Sequence, residues 1–114
     1  EGECSHIIIV YGSVADKDVD AALELMPEDI VCIFTQAQGK RAMPAEQVKE
    51  KYLNFCAGAA RPEGEVHVAG TVLEAVRKAM QAAAGIKAAD PQARPLIYIG
   101  GSTYVVAEAA ACIR

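Results

Sequence analysis

The chain has 114 residues, 53% of them hydrophobic and 23% charged, with a formal net charge of -4. That length gives one domain able to bury roughly two-thirds of its unfolded surface, and the composition excludes a disordered or low-complexity chain. The acidic balance argues against nucleic acid as a partner, and no stretch approaches the roughly 18 apolar residues that span a bilayer.

Glu1-Gly2-Glu3 has neither the basic nor the apolar region of a targeting signal, so a cytoplasmic location is expected. Cys4, Cys32, Cys56 and Cys112 include no CxxC pair and no short metal spacing. They read as buried thiols of a reducing compartment.

In chain order, Ile7-Ile8-Ile9-Val10-Tyr11 is a short, evenly apolar run rich in β-branched residues. Such a run suits a strand buried on both faces, as in a parallel sheet. Gly12 is expected to turn the chain, and Asp16 to cap a helix that starts near Asp18 and carries Val19, Ala22, Leu23 and Met26. Pro27 ends that helix. Ile30 to Phe34 is the second strand, and Gly39-Lys40-Arg41 opens a polar loop. Pro44 then suits the first turn of a helix with Val48, Tyr52, Phe55 and Cys56 along one side.

Glu65 to Ala69 alternates polar with apolar and predicts a half-exposed edge strand. Thr71 and Glu74 have capping-box spacing and open a helix through Val72, Val76, Ala79, Met80 and Ala83, which Gly85 is expected to close. A Pro-rich connector, Ala89 to Pro95, leads to Leu96-Ile97-Tyr98-Ile99, the fourth strand. Gly100-Gly101-Ser102-Thr103 is expected to turn into a last helix through Val105, Val106, Ala109 and Ile113.

Four strands alternating with four helices give right-handed crossovers, and therefore an α/β fold whose parallel sheet carries helices on both faces. With the most apolar strand central and the most polar at an edge, the order is 4-1-2-3. Strands 1 and 4 then lie side by side at the topological switch point, where open sheets of this kind bind ligands. The turns holding Lys17 and Gly101-Ser102 would flank one crevice, and the second is an anion seat of glycines, a hydroxyl and a helix N-terminus. Two plainer readings stay open. Ser102 would only cap its helix, and Lys17 would be an exposed lysine between two aspartates.

A helix N-terminus gives an exposed anion about 0.3 to 1 kcal/mol, up to about 2 when partly buried, whereas millimolar binding needs about 4. The crevice is therefore part of a site completed elsewhere. There is no GxxxxGK[ST], no GxGxxG and no GxSxG. His6 and His67 lie far apart on separate strands, and Asp16 and Asp18 suit a helix start better than acid-base chemistry. No catalytic residue and no metal ligand is assigned.

Three segments carry a resemblance: Ile9-Val10-Tyr11-Gly12 leading to Asp16-Lys17-Asp18; Arg41-Ala42 with Pro44 following; and Ile99-Gly100-Gly101-Ser102-Thr103-Tyr104-Val105-Val106-Ala107. In order and spacing they resemble the carboxyl-terminal domain of folylpolyglutamate synthase, or of the bifunctional dihydrofolate/folylpolyglutamate synthase, in the Mur ligase group. The resemblance implies a three-layer, Rossmann-like domain of an ATP-dependent ligase. In that group the carboxyl group of a folate or dihydropteroate precursor is activated as an acyl phosphate, and the amine of L-glutamate attacks it.

By motif, Lys17 and Ser102, with Gly101 before it, match the residues that hold the incoming amino acid. ATP and Mg would be bound mainly in a preceding domain. The family's domain opens with a strand and an Asp-Gly-Ala-His-Asn type motif that this chain lacks. Residues 1 to 114 are thus expected to be one truncated domain, inactive alone, with strand 4 as an uncovered edge that recruits another chain. A stand-alone flavodoxin-like anion-binding module and an interaction module remain as alternatives.

Overall fold

The computed structural model describes residues 6–13, 23, 30–36, 42–60, 62 and 64–101. They form β1 (His6–Gly12), β2 (Val31–Phe34), α1 (Ala45–Gly58), β3 (Glu65–Val68), α2 (Val72–Ala89) and β4 (Pro95–Gly101). The sheet order is β3-β2-β1-β4, and every neighbouring pair is parallel. This is the α/β architecture and strand order expected from the sequence. The helices expected over 18–26 and beyond Thr103 fall outside the described residues, except that Leu23 is helical and fully buried. Cys4, Lys17, Arg41, Ser102 and Cys112 fall outside them as well.

Because β1 is interior, its alternate residues feed two cores. Ile9 and Tyr11 join Cys32, Phe34, Val48, Tyr52 and Cys56 beneath α1, and Ile8 and Val10 join Ile33, Ala75 and Ala79 beneath α2. Each fully buried aliphatic side chain there is worth about 1.5 to 3 kcal/mol relative to exposure. Cys32 and Cys56 are buried thiols within the first cluster.

α1 starts directly after Pro44, and the Gln36 Oε1 atom accepts the Ala45 N–H at 2.9 Å in place of a side-chain cap from Pro44 itself. Ala45, Val48, Tyr52 and Cys56 repeat every three or four residues and form its buried stripe. The Tyr52 ring meets Phe34 at a centroid distance of 5.4 Å, and its hydroxyl accepts the Gly64 N–H at 2.9 Å. Gly64 is required there. A Cβ at that position would lie 2.3 Å from the Ile30 carbonyl oxygen.

α2 opens as its sequence predicts, with the Thr71 Oγ1 atom accepting the Glu74 N–H at 3.2 Å. It does not close at Gly85. The helix runs through that exposed glycine to Ala89, because one helical glycine costs only about 1 kcal/mol and Ile86 packs onto the sheet beyond it. What stops it is Pro91, which disfavours helical geometry in the residue before it; Asp90 is extended at φ -145, ψ 98.

β4 also differs from its sequence reading. Gly100 and Gly101 are not a turn but the last two residues of the strand, held in register against Tyr11 and Gly12. Gly12 is likewise a strand residue, so both strands run further than expected. No described helix is long and apolar enough to cross a membrane.

Candidate functional site at the carboxyl ends of β1 and β4

The chain places β2 and β3 on one side of β1 and β4 on the other. Connections therefore leave β1 in one direction and return to β4 from the other, which is the switch point of an open parallel sheet. The two strands end level, Tyr11 beside Gly100 and Gly12 beside Gly101. The last rung thus carries no side chain on either strand, and a ligand approaching the rim would meet backbone. Gly101, expected in the turn after the fourth strand, is the last residue of β4 itself. Lys17 and Ser102 lie outside the described residues, five positions beyond Gly12 and one beyond Gly101.

The first residue past β1 is anchored. Ser13 is buried, and its carbonyl accepts the Met43 N–H at 2.9 Å, tying the exit of β1 to the segment before α1. Burial pushes the Tyr11 phenol above its ordinary value, and a hydrogen bond with the Ser13 side chain pulls the other way. The adjacent strand continues the rim. The Thr35 N–H donates to the Tyr11 carbonyl at 2.9 Å, and the Thr35 Oγ1 atom is buried with no hydrogen-bond partner among the described residues.

Sequence reading missed Thr35 and Gln36 as parts of this rim. The available signal was positional: they are the pair of polar residues that follows the apolar run of β2.

Among the described residues, no three His, Cys, Asp or Glu side chains gather to hold a metal ion. His67 pairs with Glu65 at 2.6 Å on the far edge strand. The cleft of about 440 Å³ lined by His6, Val31, Glu65, Ile86 and Asp90 lies at the amino ends of the strands, away from the rim.

Fold and rim together define an open parallel α/β domain in which β1 and β4 end level at the switch point, the place where sheets of this kind bind ligands. No model of a known protein family matches the sequence, and no curated protein matches it.

Solved structures do match. A bifunctional folylpolyglutamate synthase/dihydrofolate synthase from Yersinia pestis, complexed with AMPPNP and Mn ion, superposes over 95% of this chain with a TM-score of 0.68 and 23% identity. A Mycobacterium tuberculosis folylpolyglutamate synthase complexed with ADP and AMPPCP covers 97% with a TM-score of 0.70 at 23% identity. The same enzyme complexed with ADP covers 96% with a TM-score of 0.71 at 21% identity. At these identities the likeness is one of fold. The chain spans only 22% to 24% of the length of those proteins.

Proposed function

We propose that this chain is the carboxyl-terminal part of an ATP-dependent acid–amino-acid ligase of the folylpolyglutamate/dihydrofolate synthase type, in the Mur ligase group. Its task is to receive L-glutamate and close over a site that other parts of a longer cytoplasmic protein complete. The observation that carries this reading is the level ending of β1 and β4, Gly12 beside Gly101, in a fold shared with folylpolyglutamate synthases over nearly the whole chain.

In such a ligase ATP, with its metal ion, activates the folate or dihydropteroate carboxyl group as an acyl phosphate. The amine of glutamate adds to that carbonyl, phosphate leaves, and the amine gives up a proton as the amide forms. This chain's share is positional. Lys17 supplies an ammonium and Ser102 a hydroxyl to a carboxylate of glutamate, with the backbone at Gly101 beside them. The amine is thereby held toward a carbonyl presented by the remainder of the protein.

A helix N-terminus by itself gives an anion up to about 2 kcal/mol, against about 4 for millimolar binding. The chain alone is therefore inactive and binds glutamate weakly.

The test is kinetic, in the full-length protein. A hydrogen bond to a charged group is worth about 1.5 to 3 kcal/mol, so Lys17→Ala and Ser102→Ala should each raise the KM for glutamate about tenfold or more, with the KM for ATP nearly unchanged. An unchanged glutamate dependence in both variants removes these residues from the site. A full-length protein without glutamate-dependent ADP release removes the reading itself.

A further inference from the structure

We propose that Cys32 and Cys56 are a redox pair: an oxidant of the peroxide class joins them in a disulfide that locks α1 onto β2, and a dithiol reductant releases it. This does not depend on the ligase reading.

The two thiols belong to different elements and to one core. Cys32 lies in β2 and Cys56 in the last turn of α1, and both are buried in the cluster that also holds Phe34 and Tyr52. Their alignment follows from the ring contact beside them. The Tyr52 ring meets Phe34 at a centroid distance of 5.4 Å, and α1, as the crossover between the parallel strands β2 and β3, runs opposite to both. Two residues back along β2, from Phe34 to Cys32, is about 6.6 Å on the same face. Four residues on along α1, from Tyr52 to Cys56, is about 6 Å on the same stripe and in the same direction. The thiols therefore face each other, one rung nearer the amino ends of the strands than the rings.

The Tyr52 hydroxyl completes the group. It accepts the N–H of Gly64, the residue before Glu65, and Glu65 is the register partner of Val31, so the hydroxyl reaches the level of Cys32. It donates in turn to the Cys56 sulfur, and Cys32 lies near enough to act on it electrostatically. One phenol thus adjoins both thiols.

Access comes from the end of the helix. Cys56 is followed by Ala57, Gly58, Ala59 and Ala60, all exposed, and Ala60 holds a φ of 54, a conformation that disfavours any residue with a Cβ. Helix ends open more readily than the cores they cover, so Cys56 meets a small oxidant first. Its sulfur attacks one oxygen of hydrogen peroxide, giving a sulfenic acid and water. The Cys32 sulfur then displaces the hydroxyl group, which leaves with the Cys32 proton as a second water while the S–S bond forms. The two sulfurs give up two electrons, and the peroxide O–O bond takes them.

The bond would close a loop of about 24 residues, which removes freedom from the unfolded chain. It would also fix the helix that reaches the carboxyl rim, where Gln36 caps α1 and Met43 donates to the Ser13 carbonyl.

The test is peroxide oxidation of the chain carrying Cys4→Ser and Cys112→Ser, which leaves only this pair. Expected are the loss of both thiols titratable in denaturant, a Cys32–Cys56 peptide in a non-reducing digest, and a urea midpoint higher by about 1 M or more that dithiothreitol reverses. Adding Cys32→Ser should instead leave a sulfenic acid at Cys56 that dimedone traps. Circular dichroism checks that each variant folds, and a non-reducing digest of the unsubstituted chain decides if they do not. Two thiols still titratable after about 1 mM peroxide, at a dose that oxidises an exposed thiol, overturn the proposal. So do separate oxidation of each sulfur with no bond between them, and a disulfide that leaves the urea midpoint unchanged or lower.

Discussion

Tyr52 joins three parts of the molecule: its ring packs on Phe34 of β2, its backbone belongs to α1, and its hydroxyl accepts from Gly64 just before β3. Burial is the main cause that pushes its phenol up to about 12, against the Gly64 N–H, which favours the ionised form. The folded state therefore prefers the neutral phenol. That stability is fully present below about pH 10 and is lost as pH rises from about 10 to about 12. Tyr11 shifts the same way. Tyr52→Phe should cost about 1 to 2 kcal/mol near neutrality, by leaving the Gly64 N–H unpaired, and should flatten the alkaline loss. Urea denaturation across roughly pH 8 to 12 measures both effects.

Thr35 gives the opposite case. Its buried hydroxyl has no partner among the described residues, so Thr35→Val should leave stability equal or improved, and a loss above about 1 kcal/mol in thermal or urea unfolding would show the hydroxyl to be engaged. Neither feature was legible in sequence. Val48, Tyr52 and Cys56 give the apolar stripe, but nothing in it says which backbone group a tyrosine hydroxyl meets.

At the scale of elements, α2 separates what a local pattern specifies from what it leaves open. Thr71 and Glu74 predict the start, and the start is there, because capping is settled within one turn. The end depends on competition between a glycine that merely weakens helix and a proline that forbids it, and Pro91 wins over Gly85. Thr71→Ala should thus destabilise by about 0.5 to 2 kcal/mol. Gly85→Ala, with nothing within 4 Å of the added carbon, should stabilise by about 0.5 to 1 kcal/mol. Chemical denaturation of the pair of variants checks the two signs together. β4 went wrong for a related reason. Gly100 and Gly101 read as a turn by propensity, yet seven residues of β1 are available to pair with, and the ladder holds both glycines extended.

For the whole molecule, the strand order followed from polarity alone: the most apolar run took an interior place, and the alternating Glu65–Val68 run took an edge. With right-handed crossovers, that fixes β1 against β4 and brings Gly12 level with Gly101. The adjacency of these two strands was therefore legible. The depth of the candidate site was not, since the anchoring of Ser13 to Met43 is a contact between segments far apart in the chain.

The central claim is that the ends of β1 and β4 form one seat for the carboxylate of glutamate. Titration of the ¹⁵N-labelled chain with L-glutamate, followed by amide shifts, tests it most directly. Weak shifts centred on Gly12, Ser13, Gly101 and the residues just after it, unsaturated at about 1 mM, are the predicted result. Shifts centred instead on the distant cleft around Val31, Glu65 and Ala82, or saturation at micromolar glutamate, would contradict the account.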